Sequence, residues 1–169
     1  GASFKGSFQS QNQEIHGMLS QGGLDLPLVL RRSTGVSQPA RRQHPSPPCP
    51  YEEEEILVRN LPAGVDIAGT LLIPPNTGSL PAAILISGSG AHDRGETVAG
   101  HKVFLVIADH LARHGIAVLR YDDRGVGKST GSYASASFAD RVGDVLSLVT
   151  YLSEREEINA SHIGLLGHS

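Results

Sequence analysis

The sequence has little of several features that mark particular protein classes. Its single cysteine, Cys49, excludes an internal disulfide framework and a cysteine-rich zinc site. Lysine and arginine total 14 against 17 acidic residues, and this net charge of −3 gives no electrostatic case for a nucleic-acid partner. No apolar run approaches the roughly 18 residues needed to span a bilayer. The chain begins at Gly1 and ends at Ser169 inside an apolar pattern, so we expect it to be a piece of a longer protein.

Composition divides the chain into three parts. In the first part, residues 1–32, the sequence alternates like β-structure from residue 4 to 32, and four leucines at period two between residues 24 and 30 predict a half-buried strand. Residues 33–50 are rich in Ser, Pro, Gln and Arg, which predicts an extended, Pro-rich linker. The acidic run at residues 52–55 is interpreted as a solvated strand edge. It opens the third part, residues 51–169.

The sequence pattern of the third part predicts five strands and two helices. The expected elements are strands at 55–60, 65–73, 82–87, 116–121 and 162–167, a helix at 102–114, and a helix capped by Ser137. The predicted apolar stripe of the second helix is Phe138, Val142, Val145, Val149 and Leu152. This alternation predicts an α/β fold, a mostly parallel sheet with helices on both faces, preceded by a short β segment. Ligands then collect at the carboxyl ends of the strands.

The stretch "YDDRGVGKST", residues 121–130, looks like a phosphate-binding loop but fails its requirements. A Walker A loop needs a glycine five residues before Gly127, where this sequence has Asp122. The turn-forming residues after Ser129 provide no helix amino end to hold an anion. We interpret the stretch as a sharp turn after a strand, with Arg124 paired to an aspartate. A nucleotide-hydrolysing protein is therefore rejected.

The informative stretch is "IGLLGHS", residues 163–169. A strand runs into Gly167-His168-Ser169, the first three positions of the G-x-S-x-G nucleophile elbow. In an elbow the serine hydroxyl stands on a strained strand-to-helix turn, and small residues are expected beside it because backbones approach closely. Three matching letters are common, but the strand immediately before them is what the elbow requires.

These stretches resemble the α/β-hydrolase fold, specifically the bacterial esterase group with a small β domain ahead of the catalytic domain. The resemblance is carried by "GTLLIP", "AAILISGSGAHDRGE", "GHKVFLVIADHLARHGIAVLRYDDRGVGKSTG" and "IGLLGHS". It implies that residues 51–169 form the N-terminal half of an α/β-hydrolase domain. Residues 4–32 are similar to the end of that group's N-terminal β domain, so residues 1–32 are expected to be its C-terminal part.

The resemblance implies a serine hydrolase in which Ser169 attacks a small carboxylic ester and forms an acyl-enzyme. It places the first oxyanion donor, a backbone N–H, in the loop after strand 82–87, where Ser89 is the first choice and Gly90 the alternative. The chain order Ser, acid, His implies that both partners of the serine lie beyond residue 169. None of the eight histidines is assigned as the base. Residues 1–169 alone are therefore expected to be inactive.

Five further residues are expected to shape loops near the site without reacting: His92, Asp93, Asp122, Arg124 and His168. His168 precedes the serine in the chain, so it is expected to pack beside the elbow rather than act as the base. His110 and His114 have a metal-compatible spacing, but neither an HExxH motif nor a third ligand accompanies them. No metal and no cofactor is predicted.

Two other functions stay open at this point. The same scaffold carries peptidases and thioesterases, and a binding module that kept the fold but lost the triad is also compatible with the sequence. The resemblance to a group whose β domain often follows an export signal suggests a secreted or periplasmic setting in a bacterium.

Overall fold

The computed structural model describes residues 2–32, 41–75 and 78–169. The chain divides into two compact units, Gly1–Pro39 and Ala40–Ser169. Residues 33–40 of the predicted linker lie outside the described residues, whereas its second part is held to the later unit by Arg41, whose guanidinium donates to the carbonyl of Ala99 at 2.9 Å. Within the three described ranges, no helix has both the length and the apolarity that crossing a membrane requires.

The first unit is a three-stranded antiparallel sheet. Its strands are β1 (Ala2–Gln9), β2 (Glu14–Gln21) and β3 (Leu24–Arg31), in that order across the sheet. The leucine-rich strand is confirmed as β3, but the expectation that it is half-buried is wrong, since Leu24 and Leu26 are 67% and 54% exposed. A single layer of three strands offers its alternate leucines no second layer to pack against among the described residues of this unit.

The second unit is built on a five-stranded sheet, which confirms the α/β class. Its strands are β4 (Glu52–Asn60), β5 (Val65–Ile73), β6 (Leu80–Ile86), β9 (Ala117–Tyr121) and β10 (Ile158–Gly167), and β7 (Thr97–Val98) and β8 (His101–Lys102) form a separate small hairpin. The order across the sheet is β10-β6-β9-β5-β4, and only β5 runs against its neighbours. The carboxyl ends of β6, β9 and β10 therefore meet at one edge, where ligands collect in such sheets.

Two helices cover opposite faces of this sheet. Successive strand residues point to opposite sides of a sheet, so each helix packs on a different set of strand side chains. Helix α1 (Val103–Arg113) packs Phe104, Ala108 and Ala112 on Leu72, Leu85 and Val118. Helix α2 (Phe138–Ser153) packs Leu148 and Leu152 on Ile67, Leu71, Ile84 and Leu119. The two cores hold the strand ends in place from both sides.

Local signals determine where the helices begin and end. Ser137 caps α2 by accepting from the amide of Asp140 at 3.2 Å, and the Asp140 carboxylate accepts from the amide of Ser137 at 2.8 Å. Gly115, with φ of +79°, ends α1, and the next amide, that of Ile116, reaches back to the carbonyl of Leu111 at 3.2 Å.

Two predicted buried surfaces are exposed among the described residues. Phe138, at the start of the predicted stripe of α2, is 76% exposed, because only the later turns of the helix lie over the sheet. Leu165, in the strand predicted to be buried, is 56% exposed. The reason is that, among the residues described by the structure, β10 pairs with β6 alone and forms one edge of the sheet.

Candidate active site

Ser169 lies two residues after the end of β10, at the carboxyl ends of the parallel strands. The parallel register pairs Gly167 with Ile86, and the amide of His168 donates to the carbonyl of Ile86 at 3.1 Å. The ends of β6 and β10 therefore lie side by side, and the segments that follow them start next to each other. A Cβ built on Gly88 would lie 3.0 Å from Cβ of Ser169. The structure brings the serine into contact with the loop that follows β6.

The backbone at Ser169 is strained. Its φ of +78° lies in the left-handed region, which few residues other than glycine adopt. Such strain persists where the surrounding structure imposes it, and it concentrates at functional sites. The prediction that close packing requires a small residue before the serine is less well supported. A Cβ on Gly167 would meet no described atom within 4 Å.

The loop after β6 presents three successive amides, and two of them are occupied. The amide of Gly88 donates to Oε1 of Glu96 at 3.0 Å, and that of Gly90 donates to the hydroxyl of Tyr133 at 3.1 Å. The amide of Ser89, between them, has no acceptor in the described part of the chain. Of the two predicted oxyanion donors, Ser89 is therefore the one whose N–H is available.

Asp123, at the end of β9, holds the same loop from the side. Its carboxylate accepts from the hydroxyl of Ser87 at 3.0 Å and from the amide of His92 at 2.9 Å. A ring nitrogen of His92 in turn lies 3.0 Å from the carbonyl of Ser89. Burial raises the pKa of Asp123, and the hydrogen bonds from His92 and Ser87 only partly oppose it. His92 thus contacts the loop that carries Ser89.

Asp122 anchors the next part of the loop through Arg94. The amide of Arg94 donates to Asp122 at 2.9 Å and its guanidinium does so at 2.8 Å, while a second nitrogen reaches Glu55 at 2.8 Å. Burial acts to raise the pKa of Asp122, but these bonds outweigh it and hold the pKa below its ordinary value. A Cβ on Gly127 would overlap the Asp122 carboxylate, which also accepts from the amide of Lys128 at 3.3 Å.

Two predicted loop residues have structural partners away from the serine. Arg124 forms a buried ion pair with Asp144 of α2 at 2.7 Å and does not line the cavity beside Ser169. The carboxylate of Asp93 accepts from the amides of Gly95 and Thr97 at 3.0 and 3.1 Å, which closes a turn in the loop. Both residues shape the surroundings of the site without contacting its centre.

Glu96 is a site residue that the sequence interpretation missed. Its carboxylate oxygen Oε1 lies 2.7 Å from Nδ1 of His168, so a buried acid from the loop touches the residue before the serine. The signal available in the sequence is an acidic side chain within a Gly-rich loop. Nothing in the spacing of two residues 72 positions apart connects them.

A cavity of about 610 Å³ opens beside Ser169. Its polar wall contains Ser87, Ser89, Asp123, Tyr133, Arg141 and His168. Its apolar wall contains Ile86, Tyr121, Phe138, Val142, Val145 and Leu165. In the residues the structure describes, no histidine nitrogen is hydrogen-bonded to the hydroxyl of Ser169.

Comparison with known proteins finds a matching family model and a related esterase. Residues 92–169 match the family described as Hydrolase_4, serine aminopeptidase, S33. Esterase EstD of Thermotoga maritima is 35% identical over 122 residues, which are 72% of this chain and 28% of that protein. The chain thus spans less than a third of the length of that relative.

Solved structures share the fold. Hypothetical protein PA2218 from Pseudomonas aeruginosa aligns with a TM-score of 0.56 and 26% identity, over 69% of this chain and 35% of that one. Est1E from Butyrivibrio proteoclasticus, solved with ferulic acid bound, aligns with a TM-score of 0.56 and 23% identity, over 68% of this chain and 42% of that one. The sheet order and these relatives together show that the second unit has part of an α/β-hydrolase fold.

Proposed function

We propose that the protein is a serine hydrolase that cleaves small carboxylic esters through an acyl-enzyme on Ser169. The observation that carries this proposal is the strained backbone of Ser169, at φ of +78°, against a loop whose Ser89 amide has no acceptor in the described residues. Attack on an ester carbonyl uses a nucleophilic hydroxyl, a base that activates it and an N–H that donates to the developing oxyanion, and Ser169 and Ser89 would supply the first and the last of these.

In the proposed reaction, Oγ of Ser169 attacks the ester carbonyl carbon, and the carbonyl oxygen becomes an oxyanion. The amide of Ser89 donates to this oxyanion, and removal of one such donor typically costs about 100- to 1,000-fold in kcat. The tetrahedral intermediate then expels the alcohol, which leaves with the proton that a general base took from the Ser169 hydroxyl, and water hydrolyses the acyl-serine. We further propose that the general base and its acid follow Ser169 in the chain, so residues 1–169 alone have no triad-dependent activity.

The shape of the cavity supports a small acyl substrate. Its volume of about 610 Å³ lies within the range of small-molecule sites, roughly 300–1,000 Å³. One wall of the cavity is formed by apolar side chains that include Phe138, Val142 and Leu165. The relative that supports the ester class is Esterase EstD. We propose that this wall receives the hydrocarbon part of the substrate.

A peptidase is the second candidate, because the matching family is described as a serine aminopeptidase. A thioesterase uses the same scaffold and the same attack, whereas a binding module would keep the scaffold and lack the triad. The two compact units also support the proposal that residues 1–32 belong to a β domain separate from the catalytic one.

The test is a substrate panel on the full-length gene product that carries these residues. We expect turnover of short-chain nitrophenyl esters well above that of acyl-thioesters and aminoacyl amides. We expect Ser169→Ala to abolish it, while Ser161→Ala, at an exposed position of β10, leaves it unchanged. Preference for the amides would favour the peptidase, and turnover that survives Ser169→Ala would overturn the serine mechanism.

A further inference from the structure

We propose that Glu96 is a positioning residue that sets the distance between the nucleophile and the oxyanion donor. The inference rests on the proposed function, because it assigns roles to Ser169 and Ser89. It adds a buried carboxylate that contacts neither residue but holds the neighbour of each.

A single oxygen makes both contacts. Oε1 of Glu96 accepts from the amide of Gly88 at 3.0 Å and lies 2.7 Å from Nδ1 of His168. Gly88 immediately precedes Ser89, and His168 immediately precedes Ser169. Since a carboxylate oxygen only accepts, Nδ1 of His168 donates to it. The oxygen thus joins the loop after β6 to the turn after β10.

Glu96 is held rigidly enough to do this. Its side chain is 2% exposed, and its backbone adopts a φ of +46°, in the left-handed region. Its amide donates to the carbonyl of Asp93 at 2.8 Å, and the preceding carbonyl, that of Gly95, accepts from the amide of Phe104 in α1 at 3.0 Å. A long side chain that is held at its backbone and at its carboxylate can fix the positions of the segments it contacts, whereas an exposed and mobile side chain cannot.

The second carboxylate oxygen argues for a role beyond stability. Oε2 of Glu96 is buried and has no hydrogen-bond partner among the described residues. A buried oxygen without a partner is costly, so an acid here is a poor choice for stability alone. Such costs are common where a residue serves the geometry of a site. His168, by contrast, is 52% exposed and contributes little to the core.

The experiment uses kinetics of the full-length protein on a nitrophenyl ester. We expect Glu96→Ala to lower kcat by about 10- to 100-fold with KM within about twofold, because a misplaced donor affects the transition state more than binding. Glu96→Gln is expected to retain most of the activity, since its amide oxygen accepts both bonds. Glu156→Ala, at an exposed position, is the control and stays at the wild-type rate.

Variants of His168 provide the decisive comparison, because an exposed residue is replaced without loss of the fold. We expect His168→Leu to lower kcat as Glu96→Ala does, and His168→Asn, whose amide can donate from a similar place, to restore part of it. The double variant Glu96→Ala with His168→Leu is expected to be no slower than the slower single variant, since both remove one linkage.

The outcomes separate the inference from the proposed function. Activity that survives Ser169→Ala overturns both. If Ser169 is required but His168→Leu keeps the wild-type kcat, or the two losses multiply independently, the positioning role is wrong and the serine mechanism stands. Should Glu96→Ala fail to fold, the comparison of His168→Leu with His168→Asn decides alone.

Discussion

Gly88 and Ser169 approach so closely that no side chain fits between them. A Cβ on Gly88 would lie 3.0 Å from Cβ of Ser169 and 3.1 Å from the carbonyl oxygen of His168. Both are tighter than ordinary van der Waals contact, and the second partner is backbone. The contact joins the loop after β6 to the turn after β10, the two segments from which the proposed site is built.

Gly88→Ala is therefore expected to push Ser169 away from the loop and lower kcat by roughly 10- to 100-fold in the full-length protein. Gly143→Ala is the matched control, because a Cβ there would lie 3.6 Å from Nδ2 of Asn60, an ordinary distance, inside α2. We expect it to keep full activity and raise the free energy of unfolding by about 0.5–1 kcal/mol. Full activity in Gly88→Ala would contradict the close approach.

Tyr133 is expected to support the oxyanion loop through Gly90. Its hydroxyl accepts from the amide of Gly90 at 3.1 Å and from Arg141 at 2.8 Å. Tyr133→Phe removes that acceptor, a loss of about 0.5–1.5 kcal/mol, and we expect kcat/KM to fall roughly two- to tenfold. Tyr151→Phe is the control, because its hydroxyl contacts Arg155, whose guanidinium pairs with Glu54. Equal effects of the two substitutions would argue against a role for Tyr133 at the site.

Arg124 is expected to be a stability residue. Asp144 accepts from its guanidinium twice at 2.7 Å and from Asn60 at 2.7 Å, and all three side chains are buried. Arg124→Ala leaves a buried carboxylate without its cation, so we expect a loss of about 3–5 kcal/mol in urea denaturation. Arg113→Ala breaks a more exposed pair with Asp109 and is expected to cost about 0–1 kcal/mol. Similar losses would show that the Arg124 pair is not desolvated.

Asp122 is expected to make stability fall in acid. Its pKa in the folded protein is held below the ordinary value of 3.8, because the bonds from Arg94 outweigh burial. The stabilisation is fully present above pH 3.8 and is lost as the pH falls through the lower, folded-state pKa. Asp122→Asn is therefore expected to be less stable at neutral pH and to lose less of its stability below pH 3.8. Urea midpoints measured against pH test this.

The pKa of Asp123, the next residue in the chain, is shifted in the opposite direction. Burial raises its pKa above 3.8, so the folded state binds the proton more tightly than the unfolded state. Stability from this group falls as the pH rises from 3.8 through the raised pKa. Asp123→Asn is expected to remove that fall above pH 3.8. Identical pH profiles for the Asp122 and Asp123 variants would contradict the assigned environments.

Local signals allowed the secondary structure to be predicted. Ser137 with Asp140 begins α2, and Gly115 ends α1, because each cap is made by residues a few positions apart. The strand before Ser169 was also predicted from residues that are neighbours in the chain. Burial was harder to predict, since Leu26 and Leu165 have the pattern of core residues but their strands lack a covering neighbour in the described residues.

The contacts that define the candidate site are long-range, and this limits what the sequence predicts. Gly90 meets Tyr133 across 43 positions, and Glu96 meets His168 across 72. Neither pair has a spacing that indicates contact, because both depend on the order in which strands assemble. The sequence favoured Ser89 over Gly90 as the donor in the loop after β6, but it could not predict that the amide of Gly90 donates to Tyr133.

The central claim is that Ser169 is the nucleophile, and covalent trapping tests it most directly. The full-length protein is treated with a fluorophosphonate ester, and the modified peptide is identified by mass spectrometry. We predict one equivalent of phosphonate on Ser169, with parallel loss of esterase activity and no adduct in Ser169→Ala. An adduct on another residue, or complete esterase inhibition while Ser169 stays unmodified, would contradict the account.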